Sequence, residues 1–340
     1  MGGPLSDSQA IQASLPVKLG GLGLRDASSH APAAYIGSCT TTRDLVRRLV
    51  GNDYEPIDSE WSLDRLQELT GFPREELFAS QKLLSENIDI RKQENLLEAT
   101  QDTRGRARLH SVMSAGSGDW LQVIPSSSLG HRLFSEEFQV CAQFRLGMPI
   151  YAAAKTCSMC MTKERDVFGD HSIGCNSGPE RIGRHDRLRD AIYSAAQTAA
   201  LAPQKEVPSL VPGSQSRPAD VFLPLWTRGR PAAVDVTVVS PLQSALVQEC
   251  ARTRGHALTI AEERKRRVHH AACQQIGIDF IPAAVDVFGS WSEISVDLLG
   301  RIGAFQQRRG VGSAHQLFQR LSVVLQRGNA SLLLRRDSIY

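Results

Sequence analysis

The chain has 340 residues, of which 41% are hydrophobic and 22% are charged. This balance is ordinary for a globular protein with room for two domains, and it excludes collagen-like, fibrous and disordered chains. The net charge of +3 hides an asymmetry, because residues 1–180 carry 18 Lys and Arg against 23 Asp and Glu, whereas residues 181–340 carry 21 against 13. A basic half favours an anionic partner such as nucleic acid, although a solvated surface with clustered arginines would give the same counts.

The N-terminal half is predicted to be helical. It opens without the basic cluster and apolar segment of a secretory signal, and no apolar run of 18 residues occurs anywhere, so we expect an intracellular protein without a membrane span. A Gly-rich turn at 18–24 leads into an Ala-rich stretch that is compatible with a helix. From 41 to 147 the apolar residues recur at helical spacing, which predicts a series of helices.

The seven cysteines are too few and too scattered for a disulfide scaffold. Cys157, Cys160, His171 and Cys175 follow the spacing C-x2-C-x10-H-x3-C. Four thiolate and imidazole ligands suit tetrahedral Zn²⁺, and with all four positions filled by protein the ion would be structural. The alternative is four unrelated residues. The polar segment between the two pairs cannot build a core of its own, which favours a metal-held zinc knuckle.

The remaining chain is predicted to form a small core of helices packed on a sheet. The pattern indicates a helix, two or three antiparallel strands, a second helix and a further strand. The predicted elements are a helix at 185–201, strands at 204–210, 219–225 and 232–239, a helix at 243–275 broken near Gly255, a strand at 278–287, and closing helices at 291–306, 313–327 and 329–335.

Two aspartates on the predicted hairpin are candidates for chemistry. Asp220 begins one strand, and Asp235 lies inside the other among Ala and Val residues. A carboxylate in such a strand is paired, exposed at an edge, or holding a metal, because burial of an unpaired charge is costly. Two carboxylates facing each other across a hairpin suit Mg²⁺, which then activates a water for phosphodiester hydrolysis. The alternative for Asp235 is a solvent-facing position.

The segment Arg217-Pro218-Ala-Asp220, followed by Asp235-Val-Thr237, resembles the Pro-Asp…Asp/Glu-x-Lys arrangement of restriction-like endonucleases, and the predicted elements match their αβββαβ core. Together with the zinc knuckle and Arg184-His185-Asp186, the chain more specifically resembles the C-terminal region of site-specific LINE-type non-LTR retrotransposon reverse transcriptase proteins. The N-terminal residues 14–39 resemble the end of the polymerase thumb in these proteins. No Tyr/Phe-x-Asp-Asp polymerase motif is present.

The resemblance implies an α+β protein in five segments. These are a thumb-like remnant at 1–40, a helical linker domain at 41–150, a CCHC zinc knuckle at 151–183, a restriction-like endonuclease core at 184–290, and C-terminal helices at 291–340. It implies a Mg²⁺-dependent DNA endonuclease with a structural Zn²⁺, without reverse transcriptase activity. DNA is the implied partner, element RNA is a second one, and the implied location is the nucleus.

The resemblance also implies roles for individual residues. Asp220 and Asp235 would hold the catalytic Mg²⁺. Thr237 stands where these nucleases often have a lysine, so a lysine from elsewhere must take over, and Lys265 is the candidate because related endonucleases carry a lysine on that helix; Lys205 is its competitor.

Several of these residues have plainer alternatives. Glu206 is either a third acidic residue of the site or an exposed strand residue, and His185 is either a site residue or a polar residue near a helix start. The basic run from Arg264 to Arg267, with His269 and His270, either contacts phosphates or forms a solvated face.

Two functions other than an endonuclease are compatible with this sequence. The first is a catalytically inactive zinc-containing nucleic-acid-binding module, or a decaying retroelement fragment, which the absent motif lysine favours. The second is a purely structural interaction protein. The intact pair Asp220 and Asp235 favours the enzyme.

Overall fold

A computed structural model describes residues 3–51, 53, 59–212, 218–227 and 229–334 of the chain. The described chain is a mixed α+β protein in which helices predominate, which confirms the predicted class. It divides into two compact units, one formed by Leu5–Gln101 and the other running from Asp102 to the end of the described chain. Within the described residues, every helix is too short or too polar to cross a membrane.

The first unit consists of helices. Its α-helices within the described residues are α1 (Asp7–Ser14), α2 (Ala27–Val50), α3 (Ser59–Thr70) and α4 (Gln81–Ala99). Asp26 caps α2 through the amide of Ser28, and Ser80 caps α4 through the amide of Leu83, which satisfies amides that have no partner inside the helix. Helices α2, α3 and α4 bury a shared apolar core that includes Ile36, Leu63, Leu66, Leu84 and Ile88.

The second unit opens with helices and a short ribbon. These elements are α5 (Thr103–Val112), α6 (Ser135–Leu146), β1 (Lys155–Thr156), β2 (Glu164–Arg165), α7 (Asp170–Gly174) and α8 (Pro179–Thr198). Strands β1 and β2 pair antiparallel, and α7 follows β2 directly. The ribbon and α7 carry the predicted metal ligands or flank them.

A four-stranded sheet forms the centre of the second unit. Its strands are β3 (Gln204–Lys205), β4 (Val221–Thr227), β5 (Arg230–Val239) and β6 (Asp279–Asp286), in this spatial order. The first three strands are antiparallel, and β6 runs parallel to β5. Helices α9 (Val247–Arg252) and α10 (His256–Gln275) make the crossover from β5 to β6, and α11 (Glu293–Arg308) and α12 (Ala314–Leu334) close the chain.

The alternation of side chains along β5 decides what each face of the sheet contacts. Val234 and Val236 point into the main core, which α8, α11 and α12 complete. Ala233 lies in a second cluster with Cys273 of α10 and Phe280 of β6. Residues 235 and 237 have the same parity as Ala233, so they lie on the face covered by α10.

The structure departs from three predicted boundaries. Strand β3 has two residues instead of seven, because Glu206 and Ser209 adopt left-handed φ values of 48° and 54° that interrupt an extended strand. The hairpin connection is shorter than 226–231, since the pairing continues to Thr227 opposite Arg230; Arg228 lies outside the described residues.

The third departure concerns the C-terminal helices, which were predicted to break between 327 and 329. Helix α12 instead continues through Gly328 and Asn329. Gly328 is a packing position, since a Cβ there would lie 2.5 Å from Cγ of Arg184. Asn329 accepts a hydrogen bond from Arg184 at 2.8 Å. Gly328 and Asn329 therefore make a buried tertiary contact with Arg184 and do not end the helix.

Asp286, at the end of β6, is a buried carboxylate with a full set of donors. Oδ1 accepts the amides of residues 288–290 at 2.9–3.0 Å, and Oδ2 accepts the hydroxyl of Ser111 at 2.7 Å. Burial nevertheless raises the pKa of Asp286 to about 6, because these hydrogen bonds offset only part of the lost hydration.

The pKa of Asp286 predicts a pH-dependent cost to stability. Between pH 4 and 6 the folded protein retains a proton that the unfolded chain has lost, so the free energy of unfolding falls as the pH rises. The difference from the ordinary pKa of 3.8 corresponds to about 3 kcal/mol. Asp286→Asn keeps the shape and removes the ionisation, so we expect its stability relative to wild type to increase between pH 4 and 7. Denaturant titrations followed by tryptophan fluorescence measure this.

Asp297→Asn is the matched control, because Asp297 is 62% exposed on α11. It should follow the wild-type pH dependence. An identical pH dependence in wild type and Asp286→Asn would contradict the assignment.

Candidate active site and metal cluster

The hairpin of β4 and β5 brings the two predicted aspartates together. Val221 pairs with Val234, and extending this register by one residue places Asp220 opposite Asp235. Two hydrogen bonds fix the position of Asp220. Its amide donates to the carbonyl of Val234 at 2.9 Å, and its Oδ2 accepts the amide of Val236 at 2.7 Å.

Asp235 is buried beneath α10, so the alternative of a solvent-facing position is wrong. Its side chain is 7% exposed, and Lys265 donates from Nζ to Oδ1 at 2.8 Å. His269, one turn further along α10, places Nε2 4.0 Å from Oδ2. That distance is too long for a hydrogen bond, and Oδ2 accepts none from any described residue.

The two carboxylates have opposite pKa shifts. Burial raises the pKa of Asp235 to about 6, and Lys265 offsets this only in part. Burial also opposes ionisation of Asp220, but the hydrogen bond and charge of His185, with the Val236 amide, outweigh it, so that its pKa lies below the ordinary value. Asp220 thus already has hydrogen-bond donors that stabilise its charge, whereas Asp235 lacks part of the positive charge that would stabilise an ionised carboxylate at this buried position.

His185 lies within α8 and contacts Asp220. Nε2 is 3.2 Å from Asp220 Oδ2 and 3.1 Å from the carbonyl oxygen of Val236, and Nδ1 is 3.3 Å from Asp186 Oδ1. Because these three partners are acceptors, only the doubly protonated ring satisfies both nitrogens. The contact with Asp220, first among several, accordingly raises the pKa of His185.

Two other predicted residues lie apart from the buried carboxylate. Glu206 pairs with Arg189 and is 45% exposed. Lys205, the competitor of Lys265, pairs with Asp190 at 3.3 Å and covers the ring of Tyr193. Of the two candidate lysines, Lys265 is therefore the one in contact with Asp235.

Two positions of the motif remain. Thr237 is buried on the same face as Asp235. Arg217, the first residue of the resemblance motif, lies outside the described residues.

A cleft of about 730 Å³ is lined by His185 and Lys265, the side chains that contact Asp220 and Asp235, although neither aspartate is part of its lining. Its walls come from α8, the end of β5, and α10, and both His185 and Lys265 reach its lining. Arg181 and Arg264 also line it. The cationic side chains on its walls make the cleft suited to an anionic chain such as a phosphodiester backbone.

The four predicted metal ligands converge into one cluster. The ligand atoms of Cys157, Cys160, His171 and Cys175 all lie within 4.8 Å of one another. The Sγ atoms of Cys157 and Cys175 are 4.0 Å apart, and Cys160 Sγ is 3.4 Å from His171 Nε2. Tetrahedral Zn²⁺ requires separations of about 3.5–3.8 Å between its ligand atoms. The four residues therefore fit this ion in number and type, and their ligand atoms, at separations from 3.4 Å to within 4.8 Å, lie near the spacing that it requires.

Neighbouring residues position the ligand that comes from α7. Asp166 accepts the amides of Phe168, Asp170 and His171 at 2.8–3.1 Å, which fixes the start of the helix that carries His171. Arg104 then donates to Asp170 at 2.8 Å. The turn that presents His171 is thus held by hydrogen bonds that need no metal.

His269 is the site residue whose position the sequence pattern did not identify. Its spacing from Lys265, four residues along a helix, was the available signal, because residues i and i+4 share a helix face. The basic run around it drew attention to phosphate contacts instead.

Comparisons with known protein families and with curated proteins identified no match for this chain. No model of a known protein family matches the chain, and no curated protein matches it.

The cluster predicts a metal content that elemental analysis can measure. We expect about one zinc per chain in purified wild-type protein, and much less in Cys160→Ser, because loss of one ligand opens a four-coordinate site. Cys39→Ser is the matched control, since Cys39 lies outside the cluster, and it should keep the wild-type zinc content. Folded wild-type protein with well under one zinc per chain would rule out the assignment.

Proposed function

We propose that this chain is a metal-dependent DNA endonuclease of the restriction-like type, related to LINE-type non-LTR retrotransposon proteins and active in the nucleus. One observation carries the proposal. A β-hairpin sets Asp220 opposite Asp235, and Lys265 contacts the buried carboxylate at 2.8 Å. The order of helix α8, three antiparallel strands, helix α10 and a parallel strand supports the same assignment.

The aspartates fit the Mg²⁺ that this chemistry uses. Asp235 Oδ2 is buried and accepts no hydrogen bond from the described residues, and the raised pKa of about 6 shows that Lys265 only partly offsets the burial. Mg²⁺ is commonly held by one or two carboxylates with several waters. When bound, the ion supplies an acidified water and positive charge at the scissile phosphate.

The protein's own groups would orient the substrate and balance its charge. Asp220 is held rigidly by the Val236 amide and His185, so its carboxylate is preorganised. Lys265 provides a cation beside the site, where it can offset the negative charge that develops on the phosphate. Arg181 and Arg264 on the walls of the cleft would hold the strand by sequence-independent phosphate contacts.

The Cys₃His cluster would hold a structural Zn²⁺ in this assignment. It provides four protein ligands and no open position, which is typical of structural sites. Asn176, one residue after the ligand Cys175, lines the cleft. Zinc would therefore stabilise one wall of the nucleic-acid site, for DNA or for element RNA.

A binding module without catalysis is the second candidate, and one observation favours it. Thr237 occupies the motif position for lysine and is buried and neutral, so no cation projects from β5 beside Asp235. In such a module the arginines would bind phosphate while the aspartates remain inert. Cleavage assays separate the two candidates.

Alanine at Asp235 should abolish cleavage and preserve DNA binding. The carboxylate holds the catalytic ion, whereas the arginines of the cleft hold the phosphates. Plasmid nicking with Mg²⁺ and binding by fluorescence anisotropy measure the two properties, and Asp220→Ala should behave alike. Asp297→Ala on α11 is the control with wild-type activity. If wild-type protein fails to nick DNA with every divalent metal tested, the result favours the binding module. If Asp235→Ala nicks DNA at the wild-type rate, the assignment of the active site is wrong.

Alanine at Lys265 should slow chemistry more than it weakens binding. Loss of one positioned cation from the transition state costs about 3 kcal/mol, on the order of 10²-fold in rate. Single-turnover cleavage at saturating enzyme isolates that rate from affinity. Arg267→Ala, an exposed cation on the same helix, should keep the rate. An effect of Lys265→Ala confined to affinity would place Lys265 among the phosphate contacts.

A further inference from the structure

We propose that His269 is a direct ligand of the catalytic metal, and that the site consequently favours a transition-metal dication such as Mn²⁺ over Mg²⁺. The inference rests on the proposed function, because it concerns the ion held by Asp235. It goes further by adding a nitrogen ligand to a site that the sequence pattern assigns to carboxylates.

The first argument is the unsatisfied oxygen. Asp235 uses Oδ1 for Lys265, and Oδ2 is buried with no hydrogen-bond donor among the described residues. A buried carboxylate oxygen without a donor is costly. The other side chains beside this carboxyl are that of Asp220, which is itself an acceptor, and the imidazole of His269, whose Nε2 lies 4.0 Å from Oδ2. A cation between the two atoms would satisfy both.

The second argument is geometric. Two atoms that each lie about 2.1 Å from one ion can be no more than about 4.2 Å apart. The 4.0 Å between Oδ2 and Nε2 satisfies that bound, and side-chain rotation by about 1 Å would bring the two atoms to the separation of about 3 Å that neighbouring octahedral ligands have. The ring of His269 is held in place by Phe280, with ring centroids 5.6 Å apart.

The third argument is that two side chains of α10 face different oxygens of Asp235. Lys265 and His269 are one helical turn apart, and each faces a different oxygen of Asp235. A lysine and a metal ion on the same oxygen would repel each other, because both are cations. Since Lys265 contacts Oδ1, Oδ2 is the oxygen that can bind the ion. Mg²⁺ takes oxygen ligands, whereas first-row transition-metal ions accept imidazole beside carboxylates.

Mn²⁺ alone, without DNA, is the probe for this ligand. Protein already loaded with zinc at the Cys₃His cluster, so that His171 is unavailable, is titrated with Mn²⁺ and followed by electron paramagnetic resonance. Electron spin-echo envelope modulation then detects ¹⁴N bonded to the ion, and protein labelled with [¹⁵N]histidine identifies the nitrogen as imidazole. We expect this coupling in wild type and in His270→Gln, the exposed neighbour on α10.

His269→Gln should lose the nitrogen coupling. Its Mn²⁺ affinity should fall on the order of tenfold or more, because loss even of a residue that only hydrogen-bonds to a metal ligand lowers metal affinity by about that factor. Its Mg²⁺ affinity should change little. Asp235→Asn should lose Mn²⁺ binding. Wild type without bound Mn²⁺ or without ¹⁴N coupling, or coupling that persists in His269→Gln, would overturn the proposal, and the wild-type measurement does not depend on how any variant folds.

The outcome is separable from that of the endonuclease proposal. Nitrogen coordination by His269 in a protein that never cleaves DNA supports the ligand assignment and contradicts the nuclease. Cleavage with Mg²⁺ and no nitrogen coupling retains the nuclease and overturns the role of His269.

Discussion

The central constraint in the second compact unit is the burial of one carboxylate on a β-sheet. Asp235 points to the face that α10 covers, which it shares with Ala233, and its side chain is 7% exposed. An ionised group there requires a cation, and Lys265 supplies one from the helix above. The contact is part-buried, with Lys265 27% exposed, and it joins α10 to β5 in addition to the apolar contacts of Leu258, Ala261 and Cys273.

A second buried charge connects the metal cluster to this core. Arg184 is 3% exposed, and its guanidinium donates to Asn329 of α12 and to the carbonyl of Ile173 in α7. The next residue, His185, turns toward Asp220. Consecutive residues of α8 therefore hold α7, which carries the ligand His171, and the first carboxylate.

The parts of this structure that could be predicted are those governed by local pattern. The spacing of Cys157, Cys160, His171 and Cys175 predicted a cluster because close ligand pairs are set by a few bonds of chain, and alternation predicted β4 and β5. The continuity of α12 could not be read locally, because Gly328 and Asn329 also mark a helix end. Their buried partner, Arg184, lies 144 residues before Gly328 and 145 before Asn329 in the chain. His269 was obscured for a similar reason, since its role depends on the helix docking over Asp235.

The position of Lys265 on α10 explains why residue 237 need not be a lysine. Residues 235 and 237 of β5 share the face beneath α10, and Thr237 is 7% exposed. A lysine there would share this face with Lys265, and the two ammonium groups would repel each other. A neutral threonine avoids that repulsion. The proposed endonuclease requires a cation beside Asp235, and a helix that crosses the strand can supply it as well as the strand itself. The linear motif places the cation on the strand, whereas the resemblance places it on the helix at Lys265, and the packing of α10 on the sheet brings that side chain into contact with Asp235.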